Sequence, residues 1–236
     1  MNRQEKIVNM FDQIAKSYDL ANRVLSFGVD KSWRRDACIK TYEYINKNEI
    51  DTILDIACGT GDMCEYWNKI ADEKGIDVKQ IVGIDPSEGM LKEAQKKGLN
   101  ARFLQGEAKD IPAKDNSSDI LSISYGLRNV IDRKEALEEF YRVLKRGGYL
   151  VILEFTKLPK QNFVSKIRDF YMKKILPFIG GLLSRNFSAY SYLPNSIEQF
   201  LTADKLIDEL KISGFEIVEV KGYSMDISTL FIAKKV

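Results

Sequence analysis

Histidine is absent from all 236 residues. Its absence removes the commonest general base and the commonest metal ligand together, so any proton transfer must use another group. Cysteine is scarce. Cys38, Cys58 and Cys64 are the three present and none pairs as CxxC, which argues against a disulfide framework or a zinc site and leaves them as small core or loop residues; no metal is expected. Only 5 prolines occur, and no repeat or low-complexity tract interrupts the chain. Long apolar runs are missing as well: none approaches the roughly 20 residues that span a bilayer. The polar start MNRQEK does not read as a signal peptide, so the expected compartment is the cytoplasm. An excess of one charge sign is also lacking, since 36 basic residues face 34 acidic ones for a net charge of +2. Such a mixed, solvated surface gives little support to nucleic-acid binding, and no nucleic-acid partner is expected. With 44% hydrophobic residues, the chain has enough apolar material for one large α/β domain over 1–236.

What the sequence does contain is a glycine-rich turn, LDIACGTGDM, from Leu54 to Met63. An aliphatic run over 52–57 precedes it and helical composition follows, so the glycines sit where a strand hands over to a helix. Gly59 and Gly61 carry no Cβ, which lets the backbone take φ > 0 and lets a ligand lie against the main chain. Such a cluster also serves as a plain tight turn. The next apolar run, 80–84, ends in Asp85, an acid at the carboxyl edge of the neighbouring strand that can accept both hydroxyls of a ribose. Asp85 is equally placed to cap a helix, because Pro86, Ser87 and Glu88 begin one. Two adenosine cofactors use this layout. The dinucleotide fingerprint needs GxGxxG with a pyrophosphate on the helix N-terminus. Here Asp55, Ala57, Gly59, Thr60 and Gly61 are followed by the acidic Asp62, which reads as repelling a pyrophosphate. The pattern resembles the first motif of class I S-adenosylmethionine-dependent methyltransferases, with Ala57 in place of the first glycine. That cofactor carries no phosphate.

Elements alternate along the chain. Ile7, Phe11, Ile14 and Tyr18 recur at helical spacing near the start; strands follow at 52–57, 80–84, 101–105, 119–124 and 149–155, with helices at 62–74 and 87–97 between the first three. A helix over about 132–146 is expected to stop at Gly147 and Gly148, and one over about 198–213 at Gly214. The last two strands, Phe215–Val220 and Ser228–Ala233, have only a short connection and should pair antiparallel. The expected architecture is a doubly wound, mostly parallel seven-stranded sheet with a C-terminal antiparallel hairpin, the class I methyltransferase fold. An N-terminal helical segment (1–50) and a helical cap insertion (157–197) complete it.

Four segments narrow the family: YDLANRVLSFGVDKSW (Tyr18–Trp33), YGLRNVID (Tyr125–Asp132), RVLKRGGYLVILEFT (Arg142–Thr156) and YSYLPNSI (Tyr190–Ile197). Together they resemble the ubiquinone/menaquinone biosynthesis C-methyltransferases of the UbiE type, over nearly the whole chain. Ala21, Asp30 and Arg146 depart from the residues usual there, and the last strand ends in STLFIAKK without the usual glycine. The resemblance implies S-adenosylmethionine as co-substrate, held by Asp55, Gly59, Thr60, Gly61, Asp85, Glu107, Ala108 and Ser124. Of these, Asp85 would take the ribose, Glu107 and Ala108 the adenine, and Ser124 the methionine end. It implies a polyprenyl quinol as acceptor, demethylmenaquinol or a 2-methoxy-6-polyprenyl-1,4-benzoquinol.

Methylating a quinol ring carbon requires an electron-rich ring, hence ionisation of the hydroxyl beside it. A phenol ionises near pH 10, so forming the phenolate at pH 7 costs about 4 kcal/mol. A neighbouring cation can lower such a pKa by roughly 1 to 3. Arg128, beside Asn129 after the fourth strand, is the candidate to hold the developing phenolate; a guanidinium does not itself take the proton, which would pass to water, Tyr18 or Asp19. Tyr18 also continues the apolar stripe, and Asp19 also suits a helix cap. The stretch FVSKIRDFYMKKILPFIGGLLS (163–184) joins an apolar stripe to Lys166, Arg168, Lys173 and Lys174. It reads as a substrate cap, a homodimer interface or a peripheral membrane contact. Competing readings are an O- or N-methyltransferase of another small molecule, a nicotinamide-dependent oxidoreductase and a non-catalytic nucleotide- or RNA-binding module.

Overall fold

Local signals account for several of the element boundaries. The first helix, α1 (Arg3–Leu25), begins in a capping box: the Asn2 side chain accepts from the Glu5 backbone N–H while the Glu5 carboxylate accepts from the Asn2 backbone N–H. It is followed by α2 (Val29–Ile45), β1 (Glu49–Ile56), α3 (Asp62–Lys74), β2 (Asp77–Asp85) and α4 (Glu88–Lys96), the last capped by Ser87. Then come β3 (Arg102–Gln105), β4 (Ser118–Ser124), a 3-10 turn (Leu127–Asn129), α5 (Arg133–Val143) and β5 (Leu144–Glu154). The computed structural model describes residues 1–157 and 187–236. In the second part lie α6 (Phe187–Gln199), α7 (Ala203–Ile212), β6 (Phe215–Tyr223) and β7 (Ser228–Lys235). Most of the expected cap insertion, including the basic amphipathic stretch 163–184, lies outside the described residues.

Among the described residues the seven strands form one sheet in the order β3-β2-β1-β4-β5-β7-β6. The first five pair in parallel, and β7 runs antiparallel to both β5 and β6. The order reverses between β1 and β4, and in open sheets of this kind ligands bind at the carboxyl ends of the strands flanking that reversal. The central strands read as continuous apolar runs because both faces are covered. One face packs Phe140, Leu137 and Leu206 against Leu121, Ile152 and Phe231; the other packs Trp67, Met63 and Trp33 against Ile53, Val151 and Ile232.

Two expected helices end elsewhere. The helix over 132–146 stops at Val143, and Leu144–Gly148 already belong to β5. Leu144 pairs with Ser118 and Tyr149 with Ile120, so the intervening residues of β5 outnumber those of β4 and form an irregularity. Gly147 takes φ +80° there, and a Cβ on Gly148 would meet the Asp119 carbonyl oxygen at 3.0 Å. The glycine pair thus serves the sheet and not the helix end. The helix over 198–213 is two helices, because Thr202 caps α7 and residues 200–202 separate it from α6. Gly214 does follow the helix end, with φ +92°.

Candidate active site

The glycine turn and Asp85 form a single unit. The Gly59 N–H donates to one Asp85 carboxylate oxygen at 2.8 Å, and the Ser87 N–H to the other at 2.8 Å. Gly59 has φ +55°, and a Cβ built on it would meet nothing within 4 Å, so its face is open space. Gly61 has a different job: at φ +82° a Cβ built on it would stand 3.1 Å from the Phe103 ring, so its absence lets the start of α3 close onto β3. Ala57, where the motif usually has glycine, also sits at positive φ, +50°. A side chain in that region costs roughly 1–2 kcal/mol.

Beside Gly59 lies a cleft at the carboxyl ends of β1, β2 and β4. Its walls include Gly59, Asp85, Glu107, Ala108, Ser124 and Asn129. α1 supplies the opposite wall through Ile7, Val8, Phe11 and Tyr18. The stripe Ile7, Phe11, Tyr18 was legible as helical periodicity, but its place on a cleft was not. α1 is pinned there at several points. Asp12 accepts from the Ser87 hydroxyl at 2.6 Å and the Gly89 N–H at 2.8 Å, so it occupies the N-terminus of α4. Gln4 accepts from the Ile131 N–H at 3.1 Å.

Other expected site residues stand off the cleft wall. Asp55 is buried beneath the turn, where it accepts from the Ser122 hydroxyl at 2.7 Å and the Cys64 thiol at 3.6 Å. Thr60 is buried and donates to Asp19 at 2.5 Å, and Asp19 in turn pairs with Lys97 at 2.7 Å. Arg128 is not among the lining residues. Its side chain is 6% exposed and pairs with the fully buried Glu154 at 2.7 Å, so its charge is already compensated. Tyr18 lines the cleft half-buried, and burial raises its phenol above the ordinary range despite a hydrogen bond from Asn22 and the positive charges of Arg128 and Arg34.

Electrostatics separate three acids of the same type. Burial pushes the Asp55 carboxyl up to about 7, against the hydrogen bonds from Ser122 and Cys64. Asp85 is pushed up to about 6 by burial, with the Ser87 and Gly59 N–H groups pulling it down. For Asp62, burial is outweighed by Arg34, Lys97 and Arg23, which hold it down at about 2. Asp62 pairs with Arg23 and, at 2.8 Å, with Lys97. The expectation that its negative charge would repel a pyrophosphate therefore needs correction, because neighbouring cations compensate it. The spacing that brings Arg23 and Asp62 together is long-range and carries no local sequence signal.

The family model of the "ubiE/COQ5 methyltransferase family" matches residues 1–235. A Campylobacter jejuni protein (serotype O:6, strain 81116) named ubiquinone/menaquinone biosynthesis C-methyltransferase UbiE is 53% identical over 235 residues, covering 100% of both chains. A Thermotoga maritima demethylmenaquinone methyltransferase is 40% identical over 210 residues, covering 89% of this chain and 88% of that protein. Among solved structures, a SAM-dependent methyltransferase of Thermotoga maritima superposes with a TM-score of 0.64 at 20% identity, covering 97% and 99% of the two chains. One from Aquifex aeolicus gives 0.59 at 21% identity, covering 85% and 90%. At such identities these two show the shared fold.

Proposed function

The chain belongs to the ubiE/COQ5 methyltransferase family, and from that premise we propose that it transfers the methyl group of S-adenosylmethionine to a ring carbon of a polyprenyl quinol, demethylmenaquinol first, in respiratory quinone biosynthesis. The observation that carries the reading is the cleft itself: the buried acid Asp85 and the open face of Gly59 lie on one side, and the apolar residues Ile7, Val8 and Phe11 on the other. A nucleoside with a polar ribose and a greasy prenylated ring suit those two walls.

In this reading Asp85 accepts the ribose hydroxyls, Glu107 and the Ala108 backbone face the adenine, and Gly59 and Ser124 border the methionine end. Asp55, Thr60 and Gly61 act one layer out, under and beside the turn. Tyr18 and Asn129 reach the acceptor. The positive charge of the sulfonium disappears as the methyl leaves, so the protein chiefly has to align ring carbon, methyl and sulfur. The proton of the attacked ring's hydroxyl passes to water or to a group on α1; after the methyl bonds to the ring carbon, that carbon's own hydrogen leaves as a proton, its electron pair restores the aromatic ring, and the ring oxygen is reprotonated. Contact with the membrane that holds such quinols would fall to the basic amphipathic stretch 163–184.

The test is incubation of purified protein with labelled S-adenosylmethionine and demethylmenaquinol bearing a short prenyl tail. Label on a ring carbon of the product is the expected result. Label on oxygen or nitrogen of another acceptor, with none on any quinol, would favour the competing small-molecule reading.

A further inference from the structure

Arg128 is gripped twice by one carboxylate. Glu154 ends β5 and is fully buried. Its Oε1 accepts from Arg128 Nη1 at 2.7 Å and from the Phe155 N–H at 2.8 Å, while its Oε2 accepts from the Arg128 backbone N–H at 3.1 Å. Side chain and main chain of the same residue are thus tied to the end of a central strand. The guanidinium also donates to the Tyr125 carbonyl oxygen and, through Nε, to the Ser196 hydroxyl at 3.3 Å, and it lies over the Phe155 ring at 5.4 Å. Of these partners only Tyr125 lines the cleft, and Arg128 itself does not.

What does face it are the neighbours of Arg128. Tyr125 and Asn129 both line the cleft. Tyr125 sits at φ +58°, a conformation a bulky side chain holds only when its surroundings impose it. At Gly126 a Cβ would stand 2.6 Å from the Ala57 Cβ, so the turn is pressed against the glycine loop. Asn129 donates weakly to the Tyr125 carbonyl at 3.5 Å and accepts from the Tyr192 hydroxyl at 2.9 Å. The Tyr125–Asn129 turn holds an unfavourable backbone against the loop, and the grip of Glu154 on Arg128 is its anchor to the sheet.

We propose that Glu154 is a positioning residue for the methyl transfer: by binding Arg128 through side chain and backbone, it fixes the turn that presents Tyr125 and Asn129 to the acceptor ring. The proposal rests on the reading of the cleft as a quinol methylation site. It assigns Arg128 a structural partner in place of a free cation. Replacing Glu154 by an amide keeps the volume but strands a buried guanidinium and puts an N–H against the donors of Arg128.

The experiment compares wild type, Glu154→Asp, Glu154→Gln and the charge-free pair Glu154→Gln with Arg128→Met, all in the full chain. The readouts are kcat, KM for a short-tailed demethylmenaquinol, the Kd of S-adenosylhomocysteine, the pH dependence of kcat, and backbone hydrogen exchange at 126–130. Expected for Glu154→Gln is a kcat lower by roughly 10- to 100-fold, the cost of a misplaced reacting group, with the Kd of S-adenosylhomocysteine unchanged and faster exchange at 126–130. Glu154→Asp, which keeps the charge, recovers most of the loss. Should Glu154→Gln fail to fold, the charge-free pair, lacking the stranded cation, binds S-adenosylhomocysteine and remains slow. A kcat equal to wild type overturns the proposal, as does a preserved kcat whose acid limb moves to lower pH, since that result makes the freed charge of Arg128 the working group. If wild type methylates no quinol, the substrate reading has failed; exchange at 126–130 then decides separately, and unchanged protection in Glu154→Gln refutes the positioning role.

Discussion

Three aspartates around one turn show how far a residue's neighbours decide its chemistry. Asp62 shares its environment with Arg34, Lys97 and Arg23 and stays ionised, whereas Asp55 and Asp85 are buried with few cations and hold their protons up to about 7 and about 6. The stability consequence has a definite sign. An unfolded aspartate ionises near pH 3.9, so between about pH 4 and about pH 7 the folded chain keeps protons that the unfolded chain has lost, and stability falls as pH rises through that window. The contribution of Asp62, with its lowered pKa, is present above about pH 4 and is lost only below it. Denaturant unfolding at both ends of the window should therefore show the ligand-free protein more stable at the acid end, with the slope reduced in Asp85→Asn. An unchanged slope in that variant would remove Asp85 from the account. The same substitution removes a charged acceptor from the proposed ribose site, and its loss of S-adenosylhomocysteine affinity, read by calorimetry, should be about 1.5–3 kcal/mol, or roughly 10- to 100-fold.

Among the elements, α1 changes most between its sequence pattern and its role. Its apolar stripe predicts a helix lying on a core, and part of it does: Ile14, Ala15, Ala21 and Leu25 pack with Met90 of α4. The first half instead walls the cleft. The close approach to α4 needs Gly89, where a Cβ would stand 2.9 Å from the Asp12 carboxylate and 3.2 Å from its Cα. Gly89→Ala should push α1 away at a cost of about 1–3 kcal/mol. Hydrogen exchange of the α1 amides then rises while that of the sheet stays as in wild type, and equal protection of α1 in both proteins would show that the contact is not what holds it. Glycine is similarly ambiguous in β5. Gly147 and Gly148 are at home after a helix or inside a sheet irregularity, and only the pairing of Leu144 with Ser118 chooses between them.

On the scale of the whole molecule, the strand order sets where chemistry happens. The reversal between β1 and β4 leaves a crevice, and the turns after β1, β2 and β4 converge on it. A ligand seated there bridges elements from both halves of the sheet and stabilises the fold as one unit. At 100 times its Kd such a ligand adds about 2.7 kcal/mol, which for a chain of this size is roughly 5–10 °C in Tm. S-adenosylhomocysteine should produce that rise and NAD should not. A comparable rise with NAD would restore the nicotinamide reading, against which the spacing of the glycines still counts while Asp62, its charge compensated, no longer does.

The alternation of strands and helices, the antiparallel end of the sheet, the glycine turn and Asp85 were legible in the sequence. Each is carried by residues a few positions apart: short apolar runs for the strands, a 3.6-residue period for the first helix, backbone freedom at Gly59, an acid closing a strand. The motif residues near 18–33 and 125–132 likewise marked the family. The partnerships of those residues were decided only by the tertiary structure. Arg128 reads as an available cation until β5 brings Glu154 to it from 26 residues away, and Asp62 reads as a bare negative charge until α1 brings Arg23 from 39 residues away. Charge compensation depends on distance in space, and a local pattern contains no term for it.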